Sequence, residues 1–221
     1  GNKISIVNQI IQQDDDGRII TWKFDYDAQN RITKTTCENK KESIGEYDIE
    51  QMLFSYSTGK VTVTQPQEYG DNIYNATLNG QGYIETLKLR DILSTKHFYD
   101  ANGYLTKSTW ESNNESYILQ SSWNNGNLVR ENNVTYEYNN MRNRMNIDIY
   151  ALMFLYPHVI DNPEIIYAVG LTGKKSKNLM TKQIDGNHYC NFTYEMNANG
   201  DPVKITVSTG DGNSIYKIIY R

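Results

Sequence analysis

Apolar and polar residues alternate along most of this chain. Ile20, Trp22, Phe24 and Tyr26 fall on one side of a two-residue period, with Thr21, Lys23 and Asp25 between them. Val134, Tyr136 and Tyr138 alternate with Thr135 and Glu137, and Phe192, Tyr194 and Met196 with Thr193 and Glu195. Val203, Ile205 and Val207 repeat the pattern around Lys204 and Thr206, and Tyr216, Ile218 and Tyr220 end the chain with it. Successive side chains of a strand point to opposite faces, so this period predicts antiparallel strands with one face in a core and the other in water.

Turn signals punctuate these stretches. They are Asp16-Gly17, Asn79-Gly80, Asn102-Gly103, Asn125-Gly126, Asp185-Gly186, Asn199-Gly200 and Asp211-Gly212. Glycine, and to a lesser degree Asn and Asp, tolerates the positive φ angles of tight hairpins. Each pair is therefore expected to join sequential strands. The turn acids, Asp25 and Asp27 among them, are expected to hydrogen-bond turn amides. The hairpins also resemble one another: Phe24 to Lys34 matches His97 to Lys107 as aromatic, acidic turn, Gly or Asn, apolar, then Lys. Weaker copies run from Phe54 to Val61, Trp123 to Arg130 and Tyr194 to Lys204. A lone hairpin is marginal in water, so the copies must pair side by side.

One stretch departs from the pattern. From Asn146 to Pro157, Ile149, Leu152, Met153 and Tyr156 recur at helical spacing, Asn146 can cap the start and Pro157 stops the run. A short helix near 147–156 is expected, burying Leu152 and Phe154 or their neighbours against the sheet. The fold class is thus all-β: a single domain over residues 1–221, an antiparallel meander of about 12–16 strands at ordinary strand lengths, strongly curved or closed as a barrel, with one short helix packed against or plugging it. An extended open sheet is the other topology the pattern allows.

Composition narrows the function more than it names it. Aromatics make up 12% of the 221 residues, 18 of them Tyr, and disordered chains are aromatic-poor. The net charge of -4 leaves no basic footprint for nucleic acid. No apolar run approaches the length of a membrane-spanning helix. Cys37 and Cys190 fit no metal pair and read as two thiols rather than a disulfide. His97, His158 and His188 lie in no zinc-ligand spacing, so neither metal nor cofactor is expected. His97 takes the aromatic slot of a hairpin and should pack. His188 and Cys190 share a strand face, which is half of a thiol–base pair. Asp14-Asp15-Asp16-Gly17 offers oxygen ligands for Ca²⁺ but lacks the spacing of a calcium loop, and reads as a solvated turn. No nucleophile motif points to catalysis.

The residues that stand out for binding are aromatic. With Tyr99 and Leu105 inward, strict alternation places Phe98, Tyr104 and Trp110 together on the opposite face. Three such rings would form a flat stacking platform for sugars, lipids or a protein.

The tyrosine–aspartate hairpins resemble the YD-type repeats of large bacterial surface and toxin-shell proteins. The order Val134-Thr135-Tyr136-Glu137-Tyr138, Asn146-Ile147-Asp148-Ile149, Gly173-Lys174-Lys175-Ser176-Lys177-Asn178-Leu179 and Asn199-Gly200-Asp201-Pro202-Val203-Lys204-Ile205 is similar to a family of secreted Bacteroidetes proteins of unknown function with a porin-like fold. That resemblance implies export to the periplasm or outer-membrane surface, with a lipid anchor on the precursor, and brings no catalytic residue. Gly1 before Asn2-Lys3 reads as the scar of a trimmed leader. The expectation is an exported, soluble cell-envelope protein without catalytic activity that binds a glycan, lipid or protein partner. The alternatives are a hydrolase-like enzyme with a site assembled from separated residues, and an integral outer-membrane barrel.

Overall fold

The computed structural model describes residues 3–112, 115–157 and 163–221. It has sixteen antiparallel strands, each paired with its neighbours in sequence, and β1 pairs with β16 so that the strand order closes into a barrel. The chain divides into two compact units. The first holds β1 (Val7–Asp14), β2 (Ile19–Tyr26), β3 (Ile32–Lys41), the start of β4 (Glu46–Ser57), β12 (Val134–Arg142), β13 (Asn178–Asp185), β14 (His188–Met196), β15 (Pro202–Thr209) and β16 (Gly212–Tyr220). The second holds the rest of β4, then β5 (Lys60–Gln65), β6 (Asn72–Leu78), β7 (Ile84–Leu89), β8 (Leu93–Tyr99), β9 (Leu105–Ser112), β10 (Glu115–Asn124) and β11 (Asn127–Glu131), with helices α1 (Ile149–Leu152) and α2 (Glu164–Ala168).

All seven Asn-Gly and Asp-Gly pairs fall where sequential antiparallel strands join, with Asp185 ending β13 and Gly212 starting β16. Four connections share one construction, headed by Asp27, Asn79, Asp100 and Asn197. In each, the head residue's side-chain oxygen accepts from the amides two and four residues on, at 2.9–3.0 Å. The head residue's own N–H donates to the carbonyl four residues on, and its carbonyl accepts from the residue three on. That third residue holds positive φ: Asn30, Gly82, Gly103 and Gly200. The Asn79 turn differs from the sequence expectation in one respect. The left-handed residue is Gly82, not Gly80, because the turn starts at Asn79 and needs positive φ three residues later.

Each of these turns is followed by a bulge. Asp25 and Tyr26 pair with Lys34 and Ile32, so Thr33 is extra. Glu85, Thr106 and Val203 are the extra residues in the other three. An inserted residue inverts the phase of the pleat. Buried positions therefore fall at Ile32 and Thr35, Ile84 and Leu87, Leu105 and Ser108, and Pro202 and Ile205. Val203, grouped with Ile205 and Val207 by simple alternation, is instead the bulge residue. Thr33 and Thr106 donate their hydroxyls to the carbonyls of Asp25 and Phe98 across the strand.

Aromatics near the strand ends, among them Tyr26 and Tyr99 just ahead of two of these turns, make a second kind of tie. Tyr26 Oη donates to the Val7 carbonyl at 2.5 Å and Tyr99 Oη to the Ile84 carbonyl at 2.6 Å. Tyr194 does the same to Met180, and Tyr220 to Pro202 at 2.8 Å. Trp123 uses its indole N–H on the Leu105 carbonyl at 2.7 Å. Every tie runs from the end of one strand to the beginning of the strand before it, so the outermost carbonyls of the sheet keep partners.

The expected helix is only α1. Its cap is Asp148, which accepts from the Tyr150 amide, rather than Asn146. Asn146 instead accepts from Val7 N–H at 2.8 Å and donates to Tyr26 Oη at 3.0 Å, which fastens this segment to β1 and β2. Leu152 is buried, but Phe154 is 59% exposed at φ 53°, because the chain leaves the helix at Met153. The second helix is unexpected. Pro163 leads it, and Ile165 to Ala168 are all buried. Asp148 N–H donates to the Ala168 carbonyl at 2.7 Å, joining the two helices, and Ile84 N–H donates to Leu171 at 2.7 Å, joining the loop to β7.

Burial raises the phenol pKa values of Tyr26, Tyr99 and Tyr220 above their usual value near 10. The folded state thus favours the protonated phenol. This stability is present at and below neutral pH and is lost as pH rises above about 10. Thermal unfolding followed by tyrosine ionisation should show a midpoint that holds to about pH 9 and falls beyond about pH 10, with the buried phenols ionising only as the protein unfolds. Smooth ionisation of all tyrosines in the folded protein at about pH 10 would contradict the ties.

Candidate functional site: an aromatic shelf at the turns of the second unit

Phe98, Tyr104 and Trp110 do not share a face. Phe98 points outward, 45% exposed, opposite Lys107, whose Nζ lies 5.3 Å from the ring centroid. Trp110 lies beyond the Thr106 bulge and is turned inward. It pairs with buried Thr95 across β8 and meets Tyr117 edge-on at 4.5 Å, beside buried Ser108 and Leu119. Tyr104 sits in the turn before β9. The expectation of one three-ring platform fails because strict alternation was carried across a bulge.

Tyr104 does belong to an aromatic group, assembled from four separate segments. Its ring packs on Trp123 of β10 at 4.6 Å between centroids, tilted by 33°. Lys174 Nζ lies 5.5 Å from the Tyr104 centroid, a cation–π distance. On the neighbouring turn Tyr83 packs on Tyr99 at 5.4 Å. Tyr83, Tyr104 and Trp123 are half-buried, so part of each ring stays open to solvent. Two glycines bring the pieces together. A Cβ on Gly103 would stand 2.8 Å from Tyr83 Cε2, and one on Gly173 would stand 2.9 Å from both the Gly103 carbonyl and Tyr99 Cε1. Lys174 is held over the shelf by its own N–H, which donates to the Gly103 carbonyl at 2.9 Å. Gln81 Nε2 reaches the Ala101 carbonyl at 3.2 Å and links the two turns. Tyr99 and Trp123 are fixed by their ties to Ile84 and Leu105, so the rings are preorganised.

The other candidates carry less. His97 is 2% exposed, and its Nε2 lies 3.2 Å from Tyr167 Oη. Ser108 faces it across the ladder and is 5% exposed. His188 is exposed and Cys190 half-buried; burial pushes the Cys190 thiol up, the opposite of an activated thiolate. Cys37 and Cys190 are not joined in a disulfide. His158 lies outside the described residues. The acidic turn is occupied by the protein's own donors: Ser214 Oγ on Asp14 at 2.6 Å, Asn213 N–H on Asp15 at 2.7 Å, and Lys41 Nζ on Asp16 at 2.5 Å. Lys41 also holds the Asp16 carboxyl below its ordinary value.

A closed antiparallel barrel built of repeated hairpins, with aromatic groups at its turns and two short buried helices in the second unit, defines a porin-like class by fold. Residues 24–204 match the family described as a domain of unknown function (DUF4595) with porin-like fold, and the chain belongs to that family. Its fold is similar to the crystal structure of a porin-like protein from Bacteroides uniformis, with a TM-score of 0.78 and 16% identity over 97% of this chain and 98% of that one. A porin-like protein from Bacteroides vulgatus aligns at a TM-score of 0.44 and 12% identity over 98% and 99% of the two chains. No curated protein matches.

The two Asn-Gly pairs at residues 79–80 and 102–103 separate turn chemistry from sequence appearance. Gly103→Ala should cost roughly 1–3 kcal/mol, because Gly103 holds φ +86° and packs under Tyr83. Gly80→Ala should change stability by less than about 0.5 kcal/mol, since Gly80 has ordinary φ and open space. Urea unfolding of both variants checks this; equal losses would contradict it.

Proposed function

We propose that this protein is a non-catalytic binding protein of the bacterial cell envelope, exposed to water, that recognises a glycan through the Tyr83–Tyr104–Trp123 shelf. The observation that carries the reading is the shelf itself: half-exposed rings, with Trp123 tied to the Leu105 carbonyl, Tyr104 packed on Trp123 and Lys174 beside Tyr104. Such rings stack on the C–H faces of sugars with little loss of rotamer freedom, and the ammonium can meet a hydroxyl or an acidic group. The family relationship and the Bacteroides neighbour support an envelope setting.

The outward strand faces argue against lipid contact. They carry Lys23 bridged to Glu38 at 2.8 Å, Lys204 to Glu195 at 2.7 Å, and a Thr77–Thr86 hydroxyl pair. A membrane barrel instead presents an apolar band. Outward apolar residues occur, among them Ile73, Ile118 and Tyr189; Ile73 pairs with Thr64, Ile118 with Thr109, and Tyr189 lies under Lys182. The inward faces are packed with apolar side chains such as Trp22, Phe24, Ile84 and Leu87, which suits a core rather than an aqueous channel. No helix among the described residues is long and apolar enough to cross a membrane.

A glycan array followed by calorimetry on wild type, Tyr104→Ala and Lys174→Ala tests the reading. A bound glycan whose affinity drops about tenfold or more in Tyr104→Ala is expected, a loss typical of one stacking ring. Affinity unchanged by Tyr104→Ala would place the site elsewhere, and retention of no glycan would overturn the reading in favour of a protein partner. Stable insertion of the folded protein into vesicles would favour the membrane barrel.

A further inference from the structure

The first unit carries a cleft of about 350 Å³, formed where the segment before β1, the Asn197 turn and the end of β16 meet. Lys3, Arg144 and Arg221 line it, and Asp201 is the one acidic side chain among its lining residues. That carboxylate is 5% exposed and already engaged: Arg144 Nε and Nη2 lie 3.1 and 3.0 Å from its Oδ1. Nη2 also donates to the Asn199 carbonyl. This bridge fixes the Arg144 guanidinium and leaves Nη1 outside it. Arg221 is held in a different way. Its N–H donates to the Ile6 carbonyl at 3.0 Å, and its guanidinium carbon lies 5.2 Å from the centroid of Tyr26, the tyrosine that ties β2 to β1. Asn197 Oδ1 is committed to the amides of Asn199 and Asp201, so the Asn197 side chain has only N–H groups left to offer.

The cleft is therefore cationic on a chain whose net charge is -4. Arg144 is immobilised by its bridge before any ligand arrives and Arg221 rests against the Tyr26 ring, so binding an anion costs less rotamer freedom than it would with two free side chains. We propose that this cleft binds a small carboxylate-bearing sugar acid. The cations would take the carboxylate, and the side-chain NH2 groups of Asn197 and Asn199 would take hydroxyls. The site shares no residue with the aromatic shelf and does not depend on it.

The test is calorimetry at low ionic strength with glucuronate, glucose and inorganic sulfate, on wild type, Lys3→Gln, Arg221→Gln and Tyr104→Ala. Arg144 is left intact because it bridges Asp201. Glucuronate should bind and glucose should not. Each glutamine variant should weaken glucuronate binding by about tenfold, the usual effect of losing one charge-assisted hydrogen bond, and Tyr104→Ala should leave it unchanged. Circular dichroism confirms that each variant is folded, and Arg221→Lys should recover part of the affinity. Glucuronate binding that equals glucose binding, that is absent, or that survives both glutamine changes overturns the proposal. Sulfate binding as tight as glucuronate overturns the sugar-acid assignment.

Discussion

A side-chain oxygen at the head of a turn sets the phase of this sheet. Asp27, Asn79, Asp100 and Asn197 each capture two amides that a hairpin would otherwise leave to water. Capture forces the residue three positions on into the left-handed region and ejects one residue of the next strand from the ladder as a bulge. The bulge then decides which side chains enter the core. Ser108 is buried, Trp110 faces inward half-buried, and Ile205 follows Pro202 at a spacing of three, because of a hydrogen bond made several residues earlier.

Other features depend on that phase. Tyr26 and Tyr99, just ahead of the Asp27 and Asp100 turns, are aimed along the sheet, where each hydroxyl reaches the first carbonyl of the preceding strand. Bulges also bend and twist strands, which a closing sheet requires. The same geometry generates both binding candidates. The aromatic shelf is two neighbouring turns packed through Gly103 and Gly173, and the cationic cleft is the Asn197 turn packed on Arg144. In this fold the turns are where chemistry can vary without disturbing the core.

Much of this was legible in the sequence. Alternation, the Asn-Gly and Asp-Gly pairs and the match between Phe24–Lys34 and His97–Lys107 led to an antiparallel meander of about the right strand count, and the order of motifs led to the family. The inward assignment of Trp22, Phe24, Tyr136 and Ile218 also holds, because no bulge interrupts those runs. Trp110 was misplaced because a two-residue period does not register an inserted Thr106. The Asn79 turn looks centred on Gly80 in the sequence because Leu78 stands where the Asp27 and Asp100 turns have Tyr26 and Tyr99. The five-residue α2 is too short to show a period of 3.6, and Pro163 before Glu164 was its only mark. The shelf combines Tyr83, Tyr104, Trp123 and Lys174 from segments that no local pattern connects. Gly103 and Gly173 were its available signals, since each stands where a side chain would collide.

The most direct test of this account is to remove the head of each turn in turn: Asp27→Ala, Asn79→Ala, Asp100→Ala and Asn197→Ala, compared by equilibrium urea unfolding. Each loses two side-chain hydrogen bonds to backbone amides, so the four should fall by similar amounts, on the order of 1–3 kcal/mol. Similar losses in hairpins of such different sequence would show one device used four times. Losses confined to one hairpin, or absent from all four, would contradict the claim that these side chains set the phase of the sheet.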